Sequence, residues 1–142
     1  MTITCEIVSQ DRMVYSGEAE IVVLPGMAGQ MGILPHHSPV LTALNYGIIT
    51  VRNKSEELHF TVAGGVAEVL PEKITILADA AENVEEIDIE RAVKAKERAE
   101  ERLKLTLASD TDRYMRVTSA LKRSNLRLQA AQKYRKNIKS RL

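Results

Sequence analysis

Arginines in the C-terminal part of the chain have spacings that suit the binding of phosphate oxygens. In a helix, Arg91 and Arg98 lie two turns apart and Arg123 and Arg127 lie one turn apart, so each pair can occupy one helix face. The planar guanidinium matches the geometry of phosphate oxygens. If two such helices fold back to back, the four cations converge and repel one another unless an anion binds between them. The alternative is that Arg91 and Arg98 pair only with acidic residues of their own helix.

Other residues offer less chemistry. His36 and His37 are adjacent, so their side chains diverge, and no Cys or Glu completes a ligand set; we expect no metal site. Gly26, Gly29 and Gly32 recur every third residue, but no Lys-Ser or Lys-Thr follows them, which favours a tight loop over a phosphate cradle. Because no motif for an activated nucleophile is present, we expect no catalytic residue and no required cofactor.

The charge divides the chain into two parts. Residues 1–90 contain 4 Lys or Arg and 14 Asp or Glu (net −10), whereas residues 91–142 contain 16 and 5 (net +11). The pattern changes at the same point, from short alternating apolar runs with Gly and Pro to a long segment rich in Ala, Lys, Glu, Arg and Leu. We therefore predict a β domain over residues 1–86 and a helical domain over residues 87–142.

Short apolar runs in the first part predict an antiparallel β-sandwich. Polar residues 53–56 and the Pro71 segment predict the turns of two hairpins. The single cysteine, Cys5, lies in an alternating run and is predicted to be a small buried apolar residue. The predicted strands are residues 2–8, 12–16, 19–24, 30–34, 40–44, 47–52, 58–63, 66–70 and 74–78.

The second part predicts an antiparallel hairpin of two helices. Asp88 suits an N-cap, and residues 109–112 favour a turn or a new cap between the helices. The stripe is narrow and rich in alanine, so it buries little area and we expect the hairpin to depend on docking elsewhere. The apolar positions recur at helical spacing: Ala92, Ala95, Ala99, Leu103 and Leu107, then Tyr114, Val117, Leu121, Ser124, Leu128 and Ala131.

Four segments, taken in order, resemble the epsilon subunit of F-type ATP synthases. They read GQMGILPHHSP at residues 29–39, LTALNYG at 41–47, VAGGVAEV at 62–69 and ILAD at 76–79. The resemblance implies a non-catalytic subunit of the rotating central stalk of a proton-translocating ATP synthase. Its sandwich would bind the gamma subunit and the c ring. Its helical hairpin would fold against the sandwich or extend into the alpha/beta catalytic head, where it impedes ATP hydrolysis.

The resemblance also implies ATP as a regulatory ligand. Residues 87–92 resemble the I/L-D-x-x-R-A motif by which some bacterial epsilon subunits bind ATP. The residues that match the ATP-binding pattern are Glu82, Ile87, Asp88, Arg91, Ala92, Arg98, Arg123 and Arg127.

By the same resemblance, Gln30, Met31 and His37 contact the c ring and the gamma subunit. The implied location is peripheral, at the cytoplasmic face of a bacterial membrane. A basic C-terminal stretch, residues 133–141, can reach further into the catalytic head or fray.

Two other functions stay open from the residues alone. The chain can act as a free cytoplasmic ATP-binding switch. Its basic helices can also bind nucleic acid, although Tyr114 and Tyr134 are their only aromatic residues and provide no stacking platform, so no nucleic-acid partner is expected.

Overall fold

A computed structural model describes residues 1–10 and 12–135 of the chain. These residues form two compact units, one ending at Asn83 and the other beginning at Val84. The first contains eight strands and the second a 3-10 turn, Val84–Glu86, followed by two helices. Of the basic stretch at residues 133–141, residues 136–141 lie outside the described residues.

Seven of the eight strands lie where strands were predicted, with differences in their bounds. Their order in the sheet is β2-β1-β7-β6-β5-β3-β4, and β8 pairs with β6. The strands are β1 (Ile3–Ser9), β2 (Arg12–Ala19), β3 (Ile21–Gly26), β4 (Gly29–Ile33), β5 (Val40–Arg52), β6 (Glu57–Val69), β7 (Lys73–Ala78) and β8 (Ala81–Asn83).

Two long strands, β5 and β6, replace four predicted short ones. Residues 60–62 of β6 pair with β8 and residues 65–69 pair with β7, so this hairpin belongs to both layers of the sandwich. Gly64 and Gly65, which fell between two predicted strands, lie instead within the single strand β6. At Gly65, φ is +136° and a Cβ atom would lie 2.3 Å from the carbonyl oxygen of Leu77, so only glycine fits without movement.

One strand pair departs from the antiparallel prediction. β1 and β7 are parallel, with Cys5 opposite Ile74 and Ile7 opposite Ile76, so the sheet is mixed. A tight turn between two strands forces them to pair antiparallel. β1 and β7 are distant in sequence and are not joined by such a turn, so they can pair in parallel. The three-residue strand β8 was not predicted, because it is too short to show an alternating pattern.

The core of the first unit is formed by alternate residues of its strands. Ile3, Cys5 and Ile7 of β1 are fully buried, as are Ile74 and Ile76 of the parallel neighbour. Phe60 packs against Tyr15, with ring centroids 5.2 Å apart. The prediction that Cys5 is a buried apolar residue is confirmed, and burial raises the pKa of its thiol to about 12.

The raised pKa of Cys5 predicts a loss of stability in alkali. The thiol ionises at 9.0 when unfolded but near 12 when folded, so above pH 9 the unfolded state releases a proton that the folded state keeps. By pH 10 this group lowers the free energy of unfolding by about 1.4 kcal/mol. Denaturant titrations of the wild-type protein and Cys5→Ala at pH 7 to 10 measure the effect. Parallel pH profiles for the two proteins would contradict the prediction.

Both helices begin at the predicted caps. Helix α1 (Ile89–Leu105) starts after Asp88 and helix α2 (Thr111–Tyr134) after Asp110, whose side chain accepts a hydrogen bond from the Arg113 N–H at 3.2 Å. The prediction that Leu107 continues the first apolar stripe is wrong, because α1 ends before it and the residue is 71% exposed in the connecting loop. Neither described helix combines the length and apolarity required to cross a bilayer.

Candidate functional site

Residues 87–92 form the N-terminus of α1. The Asp88 carboxylate accepts a hydrogen bond from the Arg91 N–H at 3.1 Å, and the Asp88 carbonyl accepts one from the Ala92 N–H at 3.0 Å. Ile87 and Ala92 are buried, whereas the Asp88 and Arg91 side chains are exposed. The apolar residues of this motif therefore anchor the helix end, and its charged residues face solvent.

In α1, the two arginines lie beside the buried face. Ala92 and Ala99 are buried at 0% and 4% exposure and mark the centre of that face. Arg91 and Arg98 each precede one of these alanines by one residue. Each arginine is therefore rotated by about 100° around the helix axis from the centre of the buried face. Both side chains are exposed.

In α2, the two arginines have an equivalent position. Ser124 and Ala131 are buried at the centre of the packing face. Arg123 precedes Ser124 by one residue, and Arg127 precedes Ala131 by four, so both are displaced from the centre in the same rotational sense as the arginines of α1. Arg123 is exposed and Arg127 is half-buried.

The four arginines consequently share one flank of the hairpin. The helices run antiparallel, since α2 ends near the start of α1, where the Arg135 guanidinium donates to the Ile87 carbonyl. In an antiparallel pair, the two packing faces point in opposite directions and the two helix axes also run in opposite directions. These two reversals cancel. Residues that are rotated in the same sense from the two packing faces therefore lie on the same side of the hairpin. We call this side the arginine flank; it is defined by Arg91, Arg98, Arg123 and Arg127.

Sequence reasoning missed two further basic residues. Arg116 lies seven residues before Arg123, so helical geometry places it on the arginine flank, and it is exposed. Arg135 contacts the start of α1. Arg116 had a detectable signal, because it extends the two-turn repeat, whereas Arg135 was noted only as part of the basic stretch at residues 133–141.

Glu82 belongs to the other unit. It lies in β8, half-buried, and its carbonyl accepts a hydrogen bond from the Thr61 hydroxyl at 3.4 Å. The arginine flank belongs to the helical unit, so the grouping of Glu82 with the arginines stays a prediction.

Two of the three residues predicted to contact partners lie on the edge strand β4, and the third, His37, lies in the loop between β4 and β5. Gln30 is exposed on the edge strand β4, and the neighbouring Met31 is half-buried and packs against the core. His37 is half-buried, with its Nδ1 2.7 Å from the Ser38 carbonyl oxygen. Part of Met31 is therefore committed to the fold, and the contacts predicted for all three stay predictions.

An exposed row of apolar side chains crosses five strands of the first unit. Val66 pairs with Ala43 on one side and with Leu77 on the other; Leu77 pairs with Val8, and Val8 with Met13. Leu77 is 57% exposed, Met13 53% and Val66 40%. We call these five residues the apolar row. A continuous apolar strip of this kind on a sheet face is typical of a protein interface.

Acidic residues border the apolar row. In the adjacent row, Glu68 of β6 and Glu6 of β1 lie on the same face, where Glu6 pairs with Lys73 at 3.2 Å, and Asp79 and Gln10 line a shallow cavity of about 390 Å³ beside Leu77. The face therefore suits a partner that presents apolar side chains together with basic ones.

The sandwich and the helical hairpin correspond to the two domains of a family of ATP synthase subunits. The beta-sandwich domain of ATP synthase delta/epsilon chains matches residues 2–84, and the long alpha-helix domain of the same chains matches residues 85–132. The chain belongs to the ATP synthase epsilon chain family.

Relatives and solved structures agree with this assignment. The ATP synthase epsilon chain of Dehalococcoides mccartyi is 43% identical over 138 residues, covering 93% of this chain and 94% of that one. The Synechococcus elongatus epsilon chain is 42% identical over 131 residues, covering 92% and 96%. A chain in the Euglena gracilis mitochondrial ATP synthase (OSCP/F1/c-ring) is 24% identical, with a TM-score of 0.74 and coverage of 92% and 81%, and shares the fold.

Proposed function

We propose that this chain is a non-catalytic subunit of the central stalk of a proton-translocating F-type ATP synthase, peripheral at the cytoplasmic face of a bacterial membrane. Its sandwich binds the gamma subunit and the c ring. Its helical hairpin inhibits ATP hydrolysis when it extends into the alpha/beta catalytic head, and ATP bound to the hairpin favours the folded form. The family match over residues 2–132 supports the assembly, and the arginine flank is the observation that carries the regulatory part.

The packing of the hairpin supports its ability to change position. Only Ala92 and Ala99 of the 17 residues in α1 are buried, and α2 buries Val117, Ser124 and two alanines. Such small side chains bury little apolar area, at roughly 25 cal/mol per Å², so the two helices hold each other weakly. A weakly held element changes position when a ligand binds one of its conformations better than the other.

Charge supplies that difference in binding. Without a ligand, the exposed cations Arg91, Arg98 and Arg123 of the arginine flank repel one another, and an ATP phosphate chain would neutralise them and stabilise the folded hairpin. Without ATP, the same cations favour an acidic surface, which family resemblance identifies as a carboxylate-rich segment of the beta subunits. The nucleotide and the catalytic head therefore compete for the same charges.

The apolar row supports the proposed anchoring of the sandwich. It is accessible in the free chain, has an acidic border and crosses five strands that are fixed by a common core. We assign it to the gamma subunit. We assign the surface that carries Gln30, Met31 and His37 to the c ring and the adjoining part of gamma.

Purification under gentle conditions tests the assignment against its alternatives. A stalk subunit carrying an affinity tag should bring gamma and the catalytic head with it. A free ATP-binding switch would bring neither, and a nucleic-acid-binding module would bring DNA or RNA. Recovery of the chain alone at low salt would contradict the proposed function.

ATP binding should depend on the arginine flank. Calorimetric titration of the isolated protein should show ATP binding that Arg123→Ala and Arg127→Ala each weaken about tenfold, the low end for a charge-assisted hydrogen bond because the site is open to solvent. Lys122→Ala is the control, since this exposed cation lies on the side of α2 opposite the packing face. The absence of heat at millimolar ATP would contradict ATP sensing.

A further inference from the structure

Arg135 joins the two ends of the helical hairpin. It is the C-cap residue of α2, and its backbone N–H donates to the Ala131 carbonyl at 3.1 Å. Its side chain turns back to the start of α1, where Nη1 donates to the Ile87 carbonyl at 2.7 Å and Nε lies 4.0 Å from a Glu85 carboxylate oxygen. The side chain is 24% exposed. A hydrogen bond across 48 residues thus closes the open end of the hairpin.

The Ile87 carbonyl needs a partner from outside α1. The backbone hydrogen bonds of α1 begin one residue after Ile87, where the Asp88 carbonyl accepts a hydrogen bond from the Ala92 N–H. Ile87 itself is 2% exposed, so its carbonyl has little access to water. A buried carbonyl without a partner is costly, and a hydrogen bond from a charged group is among the stronger ones. Separation of the helices would leave this carbonyl and the guanidinium without each other.

We propose that Arg135 is a latch that holds the hairpin folded and positions residues 87–92 for nucleotide. This inference rests on the proposed function for its nucleotide part alone. Arg135 acts through the Ile87 carbonyl, at the residue next to the Asp88 cap, and not through the phosphates. Because the latch and the nucleotide both favour the folded hairpin, loss of the latch weakens ATP binding and promotes the extended, inhibitory form.

Backbone hydrogen exchange of the full-length protein without nucleotide tests the latch. In Arg135→Ala, amides of residues 87–92 and of the last turns of α2 should exchange about tenfold faster or more, as expected for loss of a hydrogen bond to a charged group. Arg135→Lys should keep part of the protection, because its ammonium can still donate to the carbonyl. The rest should be lost, because an ammonium lacks the planar set of donors of the guanidinium. Unchanged sandwich amides would show that the variants remain folded.

Lys133→Ala is the matched control. It removes one positive charge from the same helix end, and its Nζ lies over the Tyr134 ring at 5.2 Å from the centroid, not at the Ile87 carbonyl. Wild-type exchange in Lys133→Ala together with faster exchange in Arg135→Ala supports the latch. Equal acceleration in both variants, or none in Arg135→Ala, overturns it.

ATP titration then separates the latch from the sensor. Arg135→Ala should weaken ATP binding about threefold to tenfold, and Lys133→Ala should leave it unchanged. If the wild-type protein binds no ATP, the proposed sensing function fails while hydrogen exchange still decides the latch. If Arg135→Ala exchanges faster but binds ATP as the wild type does, the coupling between latch and nucleotide is overturned.

Discussion

Leu77→Glu is expected to prevent incorporation of the chain into the stalk while leaving its fold intact. Leu77 lies at the middle of the apolar row, between Val66 and Val8, and is 57% exposed. In the free protein the new carboxylate stays in water, so stability should change by no more than about 0.5 kcal/mol. In the complex it would be buried against a partner next to Glu6 and Glu68. We expect binding to gamma to weaken at least ~100-fold, as for a charge placed in an interface core.

Reconstitution with purified gamma measures this effect. Ser55→Glu introduces the same carboxylate at the exposed β5–β6 turn, eleven residues before Val66, the member of the row in β6, and should bind as the wild type does. Thermal unfolding of both variants checks the fold. Normal assembly of Leu77→Glu would place the gamma contact on another surface of the sandwich.

The elements of the fold could be predicted from the sequence wherever one local pattern decided the structure. Alternation placed the strands around Cys5, Ile74 and Phe60, and the capping preference of aspartate placed the start of α1 at Asp88. The parallel pairing of β1 and β7 could not be predicted, because it depends on which distant strands meet and not on either strand's own pattern.

The candidate site divides in the same way. The positions of the four arginines around their helices follow from spacing, so sequence alone predicted two helix faces that can meet on one flank. The apolar row was not predicted, because its members come from five strands and become neighbours only through the register of the sheet. The Arg135 contact with Ile87 was missed for a related reason: it depends on where the chain turns between the helices.

A chain that lacks residues 88–142 should release the catalytic head from inhibition. The sandwich has its own core, formed by residues of β1 to β7, so this truncation removes the hairpin and keeps the anchoring domain. If the hairpin favours its inhibitory position by about 2 kcal/mol, within the usual range for allosteric coupling, roughly one head in thirty stays active. ATPase assays of the assembled head at low salt and low ATP should then show about a 30-fold higher rate with the truncated chain.

Salt and nucleotide distinguish this inhibition from a passive structural effect. Residues 91–142 include 16 basic and 5 acidic residues, so the attraction of the hairpin to an acidic surface should decline as the Debye length falls from about 10 Å at 0.1 M salt to 3 Å at 1 M. The rate with the complete chain should therefore rise with salt, and also with millimolar ATP beyond simple substrate saturation. The truncated chain should show neither increase. Equal rates for both chains at every salt and ATP concentration would leave the hairpin as a connector without a regulatory role.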